Sequence, residues 1–125
     1  MVKQLVSKNI QDYLATGSNK VLLDVRTKEE LDSVGKPDGG KIGLKTYFLT
    51  IQFADKSFNQ NFIEDFKKLN IQKDTEILTM CMGGVRSQAA AELLIKENYK
   101  CSNISDGFLG NPENAGWKNS DLPYK

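Results

Sequence analysis

Residues 76–97 constrain this chain more than any other stretch, because they place a strand, a cysteine, two glycines and a helix in that order. The apolar run Glu76–Met80 is rich in β-formers and predicts a buried strand. Residues 88–97 consist almost wholly of strong helix formers. Cys81 follows the strand directly, and Gly83 and Gly84 allow a tight turn before the helix. The stretch therefore predicts a strand–turn–helix unit with a cysteine at its turn.

A turn of this kind has the properties of an anion-binding loop. Glycines allow the N–H groups of the loop to converge on one point, and the start of a helix adds a partial positive charge there. A sulfur held in such a field loses its proton more readily, and the thiolate is the nucleophilic form of cysteine. The alternative is a buried, inert cysteine beside a simple connector. The glycines and Arg86, which closes the loop, favour the anion-binding interpretation.

Composition and charge exclude several classes of function. A chain of 125 residues with 39% apolar and 26% charged residues is typical of one soluble domain, which we expect to span residues 1–125. A net charge of +1 predicts neither a nucleic-acid partner nor a membrane-surface partner. The chain has no histidine, which excludes a Cys–His dyad, a Ser-His-Asp triad and any histidine-containing metal site. We expect no metal and no cofactor.

Cysteine usage and the N-terminal residues bear on location. Two cysteines cannot form a disulfide framework, which favours a reducing compartment. Residues 1–8 contain no apolar segment that could export the chain, and no later segment could span a bilayer. These features predict a cytoplasmic protein.

The remaining sequence predicts strands that alternate with helices. Further strands are expected at residues 3–6, 21–25, 46–51 and 101–104, and helices at residues 10–14, 27–34 and 62–69. Thr27 and Glu30 have the spacing of a capping box, and the glycine-rich residues 35–43 predict a surface loop. The alternation favours an α/β fold with a mostly parallel sheet and helices on both faces. Ligands of such sheets bind beyond the carboxyl ends of the strands, where Cys81 is expected.

Positive charge is carried almost entirely by lysine. Arg26 and Arg86 are the only arginines among 17 basic residues, which indicates positions where a planar fork of donors is needed. Lys36, Lys41 and Lys45 cluster around the glycine-rich loop. They either attract an anion toward the site or form an ordinary solvated face, and we favour the solvated face.

Two motifs, which follow one another along the chain, resemble motifs of the rhodanese-like family. Residues 23–30, Leu-Asp-Val-Arg-Thr-Lys-Glu-Glu, resemble its Asp-Val-Arg-x-x-x-Glu signature, and residues 81–87 resemble its active-site loop, Cys-x-x-Gly-x-Arg-Ser. The end of the chain, with Asp106-Gly107-Phe108, Trp117 and Leu122-Pro123, is similar to the family ending Gly-Gly-Phe, Trp and Leu-Pro. The resemblance extends from about Leu5 to Tyr124.

The resemblance implies a rhodanese-like fold and a single-domain sulfurtransferase. Cys81 would take a sulfane sulfur from thiosulfate or a related donor as a persulfide, and pass it to cyanide or a thiol. Partners would be small-molecule donors and acceptors, and a protein that accepts sulfur. Asp24 and Arg26 would hold the loops near the site. The rest of the loop would bind substrate, namely Met82, Gly83, Gly84, Val85, Arg86 and Ser87.

The chain departs from the family pattern at three places. Residues 34–38 stand where Gly-His-Ile-Pro-Gly-Ala is usual, Met80 replaces the common Tyr or His before the cysteine, and Asp106 replaces a glycine. Cys101, in the last predicted strand, is expected to be a buried inert thiol rather than a resolving cysteine.

Two other functions stay open at this point. One is a non-catalytic binding or sulfur-carrier module. The other is a cysteine-dependent phosphatase or arsenate reductase, although Arg86 follows Cys81 one residue sooner than the phosphatase pattern Cys-x-x-x-x-x-Arg requires.

Overall fold

A single five-stranded sheet, parallel throughout, organises the chain. The computed structural model describes residues 2–17 and 19–125. Within that part the strands lie in the order β1-β5-β4-β2-β3, and each neighbouring pair is parallel. The strands are β1 (Lys3–Leu5), β2 (Lys20–Asp24), β3 (Lys45–Phe48), β4 (Glu76–Met80) and β5 (Lys100–Ile104). The predicted α/β class with a mostly parallel sheet is confirmed.

Helices connect the strands, as the alternating pattern predicted. They are α1 (Ile10–Leu14), α2 (Lys28–Val34), α3 (Phe62–Lys67) and α4 (Val85–Lys96), with short 3-10 turns at Ser7–Asn9 and Gly39–Ile42. The capping box of α2 is formed: the Thr27 side chain accepts from the Glu30 N–H, and the Glu30 carboxylate accepts from the Thr27 N–H. No helix in the described part of the chain is long and apolar enough to cross a membrane.

Alternating side chains of the central strands build two hydrophobic layers, one on each face of the sheet. Leu23 and Ile77 belong to one layer with Phe62 and Phe66 of α3 and Leu94 of α4. The neighbouring residues of the same strands, Leu22 and Leu78, belong to the other layer. That layer also includes Ile10 of α1 and the fully buried Trp117. The helices therefore cover both faces, because successive strand residues point to opposite sides.

The glycine-rich residues 35–43 are more ordered than the predicted surface loop. Pro37 forms an antiparallel bridge with Tyr124, and the Lys36 N–H donates to the Lys125 carbonyl at 2.8 Å. Gly39 is buried, and a Cβ at this position would lie 2.4 Å from the Leu44 carbonyl oxygen. The C-terminal residues thus hold this segment against the domain, which the local sequence could not indicate.

The site lies where two of these elements meet. β4 ends at Met80 and α4 begins at Val85, so Cys81 and the three residues after it form the connection. β2 lies beside β4 and ends at Asp24. Parallel strands bring their carboxyl ends to one edge, and the Cys81 loop and the Asp24–Arg26 segment are therefore neighbours.

Candidate functional site

Gly84 allows the chain to turn sharply between Cys81 and α4. Its φ of 106° lies in the left-handed region, which residues other than glycine rarely adopt. A Cβ at this position would also lie 2.1 Å from the Ser105 carbonyl oxygen. The glycine is therefore required by the turn and by the close approach of the backbone after β5.

The Cys81 thiol is buried inside this turn and has two hydrogen-bonding neighbours. Only 1% of the residue is exposed. Its Sγ accepts from the Gly84 N–H at 3.1 Å and lies 3.2 Å from the Ser87 Oγ. Gly84 and Ser87, two of the predicted substrate-binding residues, are therefore the ones that contact the sulfur directly.

The other loop residues anchor the turn or face solvent. The Cys81 and Met82 carbonyls accept from the Phe108 and Leu109 N–H groups at 2.9 and 3.1 Å, which ties the loop to the segment after β5. Gly83 is partly buried. Val85 is 83% exposed.

Arg86 is engaged by a partner that the sequence did not reveal. Its two terminal nitrogens donate to the two carboxylate oxygens of Glu30 at 2.7 and 2.8 Å. The hydrogen bond from Arg86 lowers the pKa of Glu30 to about 2, and Glu30 in turn raises the pKa of Arg86. Glu30 is the last residue of the Asp-Val-Arg-x-x-x-Glu signature, and its place in that motif was the available signal for a role at the site. The sequence interpretation assigned Glu30 only to the capping box.

Asp24 and Arg26 form a fully buried ion pair at the end of β2. The Arg26 guanidinium donates from Nε and Nη2 to the Asp24 carboxylate, with the shortest distance 2.8 Å. It also donates to the Gly35 carbonyl at 3.0 Å and stacks over the Phe108 ring at 4.3 Å. Burial raises the pKa of Asp24, and the hydrogen bonds from Arg26 act in the opposite direction. The pair joins β2, the end of α2 and the segment after β5.

Asp106, which departs from the family pattern, holds two distant segments together. One carboxylate oxygen accepts from the Ser7 N–H and hydroxyl at 3.0 and 2.9 Å, and the other accepts from the Gly116 N–H at 2.9 Å. The residue is fully buried. Where the family pattern has a glycine, Asp106 therefore provides a polar link between the segment after β1 and the segment after β5.

Asn103 is a site residue that the sequence interpretation missed. It lies in β5, is 2% exposed, and its Oδ1 is 2.6 Å from the Ser87 Oγ. Its Nδ2 donates to the Gly84 carbonyl at 3.1 Å. A polar residue in a short buried strand was the available signal, because a buried amide requires partners.

Cys101 lies near the other end of the strands. In β5 it is opposite Ile77 of β4, four residues before Cys81, and it is 7% exposed. Burial raises the pKa of its thiol to about 12. At neutral pH the thiol is protonated, as expected for an inert cysteine.

The lysines near the glycine-rich loop have surface contacts. Lys41 pairs with Asp38 at 3.7 Å and its side chain is 72% exposed. Lys36 lies over the Phe48 ring at 5.9 Å, and Lys45 lies over the Tyr47 ring at 5.2 Å. These contacts resemble the solvated face that we favoured, and none of them involves the Cys81 loop.

A surface groove borders Arg86. Its lining carries both signs of charge and one exposed ring; the residues are Thr27, Glu29, Glu30, Gln52, Phe53, Ala54, Lys56 and Arg86. Across the described residues, no cluster of three or more acidic, cysteine or histidine side chains could hold a metal ion.

Comparison with known proteins identifies relatives along nearly the whole chain. A sequence model described as "Rhodanese-like domain" matches residues 5–110. The chain is 38% identical to the uncharacterized protein RP600 of Rickettsia prowazekii (strain Madrid E), with 100% of this chain and 98% of that protein covered. It is 23% identical to a protein named "Sulfurtransferase" from Allochromatium vinosum, covering 98% of this chain and 94% of the other. The crystal structure of Rv0390 from M. tuberculosis superimposes with a TM-score of 0.84 at 26% identity, covering 99% and 97% of the two chains.

Proposed function

This chain belongs to the rhodanese-like domain family, and we propose that it is a sulfurtransferase whose Cys81 carries the sulfur as a persulfide. The observation that carries the proposal is the position of Cys81 Sγ, which accepts the Gly84 N–H at 3.1 Å at the carboxyl end of β4. The short loop ends in Arg86 and Ser87, as in the sulfur-carrying loop that the sequence resembles. The relative from Allochromatium vinosum that bears the name "Sulfurtransferase" supports the same chemistry.

In the first half-reaction the Cys81 sulfur attacks the outer sulfur of thiosulfate or a related donor. The bond between the two donor sulfurs breaks, a bond from Cys81 Sγ to the transferred sulfur forms, and sulfite leaves with the electron pair. The cysteine proton passes to solvent. The N–H of Gly84, which contacts the Cys81 Sγ, is a fixed donor beside the reacting sulfur.

In the second half-reaction a nucleophilic acceptor, cyanide or a thiol, attacks the outer sulfur. The sulfur–sulfur bond to Cys81 breaks, and Cys81 leaves as a thiolate that the Gly84 N–H stabilises. Electrons balance because each step exchanges one sulfur–sulfur bond for one new bond to sulfur. The acceptor can be a small molecule or a cysteine of a protein.

A non-catalytic binding or sulfur-carrier module is the second candidate, and two observations favour it. Cys81 is 1% exposed, and Arg86 is engaged by Glu30 rather than open to an anion. A binding module does not require a donor to reach Cys81, whereas a sulfurtransferase does.

Mass spectrometry of the intact chain after thiosulfate treatment tests the proposal. We expect the mass to increase by one sulfur atom on Cys81, and the increase to disappear when cyanide is added. Cys81→Ser abolishes the increase and leaves the fold unchanged, because the two side chains are nearly isosteric. Cys101→Ser is the matched control and keeps it, because Cys101 is a buried, protonated thiol. Loading on Cys101 instead of Cys81 would contradict the assignment of the nucleophile.

A further inference from the structure

The Asn103 side chain has only one orientation that satisfies its neighbours. Its Nδ2 lies 3.1 Å from the Gly84 carbonyl oxygen and 3.0 Å from the Gln4 Oε1. A backbone carbonyl only accepts hydrogen bonds, so the amide nitrogen must face Gly84. The carbonyl oxygen of Asn103 therefore faces Ser87, at 2.6 Å from its hydroxyl.

Ser87 has one hydroxyl hydrogen and two acceptors within reach. The Asn103 Oδ1 lies at 2.6 Å and the Cys81 Sγ at 3.2 Å. Two oxygens this close require a hydrogen between them, and the Asn103 oxygen has none to offer. Ser87 therefore donates to Asn103, and a lone pair of its Oγ faces the sulfur.

This arrangement suits a protonated Cys81 and opposes the thiolate. With the Ser87 hydrogen on Asn103, the S–H of a protonated Cys81 can donate to the Ser87 Oγ, 3.2 Å away. A thiolate already accepts from the Gly84 N–H and would compete with Asn103 for the Ser87 hydrogen. If the thiolate took that hydrogen, the buried Asn103 Oδ1 would keep only the Thr79 hydroxyl, at 3.4 Å. A buried acceptor without a good donor is costly, so the network penalises ionisation.

We propose that Asn103 is a positioning residue that holds the Ser87 hydrogen away from Cys81 and so restrains ionisation of the resting cysteine. The inference rests on the proposed function in taking Cys81 as the reactive sulfur. Formation of the persulfide does not incur the cost of an unpaired Asn103 oxygen, because the inner sulfur of a persulfide carries no charge and does not require the Ser87 hydrogen. The network thus stabilises the thiol and the sulfur-loaded form relative to the free thiolate.

The charged groups around the thiol are the same in every variant used below. Arg86 of α4 interacts electrostatically with Cys81 and is paired with Glu30 of α2. Asp24 of β2 is paired with Arg26. Asp106, after β5, is bound to Ser7 and Gly116.

The ultraviolet absorbance of the thiolate, recorded against pH, tests the proposal on the intact protein. Each variant is compared with the same variant carrying Cys81→Ser, so that the difference reports Cys81 alone. Asn103→Leu releases the Ser87 hydrogen, and we expect the midpoint of thiolate formation to fall by about half to one pH unit, the equivalent of one hydrogen bond.

Ser87→Ala provides an independent test that leaves β5 intact, so the answer does not depend on whether Asn103→Leu folds. If Ser87 already donates to the thiolate, removing it raises the midpoint. If Asn103 holds the hydrogen, the midpoint stays in place or falls, as we expect. In the Ser87→Ala background, Asn103→Leu should cause no additional shift, since Asn103 acts through Ser87.

Three results would overturn the proposal: a rise in the midpoint of Ser87→Ala, no fall in a folded Asn103→Leu, or an equal fall with and without Ser87. The last would mean that Asn103 only shapes the loop. These measurements need no sulfur donor. A protein that fails to accept sulfur can therefore still bear out the role of Asn103, and the two failures are distinguishable.

Discussion

Arg86 and Glu30, which are 56 residues apart in the chain, form a two-point ion pair between the first turn of α4 and the first turn of α2. Glu30 is held in turn by the capping box, since its carboxylate also accepts from the Thr27 N–H at 3.0 Å. The cation nearest in sequence to Cys81 is thus oriented by a carboxylate, and two of its five N–H donors are used. The other three N–H donors of Arg86 are not used by Glu30.

Acid should weaken the fold through Glu30. Its pKa is lowered from the ordinary value of 4.5 to about 2 by the hydrogen bonds from Arg86. A depressed pKa contributes stability that is complete above the unfolded value and is lost as pH falls from 4.5 toward about 2. We expect urea unfolding at a series of pH values to show this loss in the native protein and a smaller one in Glu30→Gln. Glu29→Gln, at the exposed neighbouring position, is the control. An identical acid response in all three proteins would contradict the prediction.

Arg86→Lys should impair sulfur loading from thiosulfate although it keeps the positive charge. Lysine presents a single ammonium nitrogen, so it cannot form the two parallel N–H···O bonds of the guanidinium with Glu30 or offer a planar fork to a sulfonate-like group. The measurement is the rate of sulfur loading on Cys81 by mass spectrometry. Glu30→Gln is the companion variant, because it keeps the arginine but weakens its orientation. Equal rates in Arg86→Lys and the native protein would show that Arg86 acts only as a charge.

Asp106→Ala should destabilise the domain strongly. The change leaves the buried Ser7 and Gly116 N–H groups without their acceptor, at a cost of about 2–4 kcal/mol. Denaturant unfolding measures the difference in free energy. Asp32→Ala, at an exposed position of α2, is the matched control and should change stability by less than about 0.5 kcal/mol. Similar values for the two variants would remove Asp106 from its bridging role.

The length of the Cys81 loop should exclude phosphatase activity. The phosphatase loop Cys-x-x-x-x-x-Arg is one residue longer than the span from Cys81 to Arg86, and the extra amide helps to enclose a phosphoryl group. We expect no hydrolysis of aryl phosphates by the native protein. Inserting one glycine between Gly84 and Val85 should slow sulfur loading, because it separates the N–H that contacts the sulfur from the start of α4. Phosphatase turnover by the native protein that depends on Cys81 would overturn the assignment.

Local features of the site were predictable because each depends on neighbours in the sequence. The capping box of Thr27 and Glu30 is complete within four consecutive residues. The strand Glu76–Met80 appears with the predicted bounds. A short, nearly continuous apolar run is typical of a parallel strand that is buried on both faces of its sheet. The glycine turn after Cys81 likewise follows from the residues that form it.

Contacts between distant residues were decided only by the tertiary structure. Asn103 approaches Ser87 because β5 lies beside β4, and the order β1-β5-β4-β2-β3 is not written in any one segment. Asp106 reaches Ser7 across 99 residues for the same reason. A polar residue in a strand has the same sequence signature whether it faces solvent or, as Asn103 does, a buried hydroxyl beside Cys81. By itself the sequence determined the strand–turn–helix unit that carries Cys81, whereas strand order and register decided which polar groups surround that cysteine.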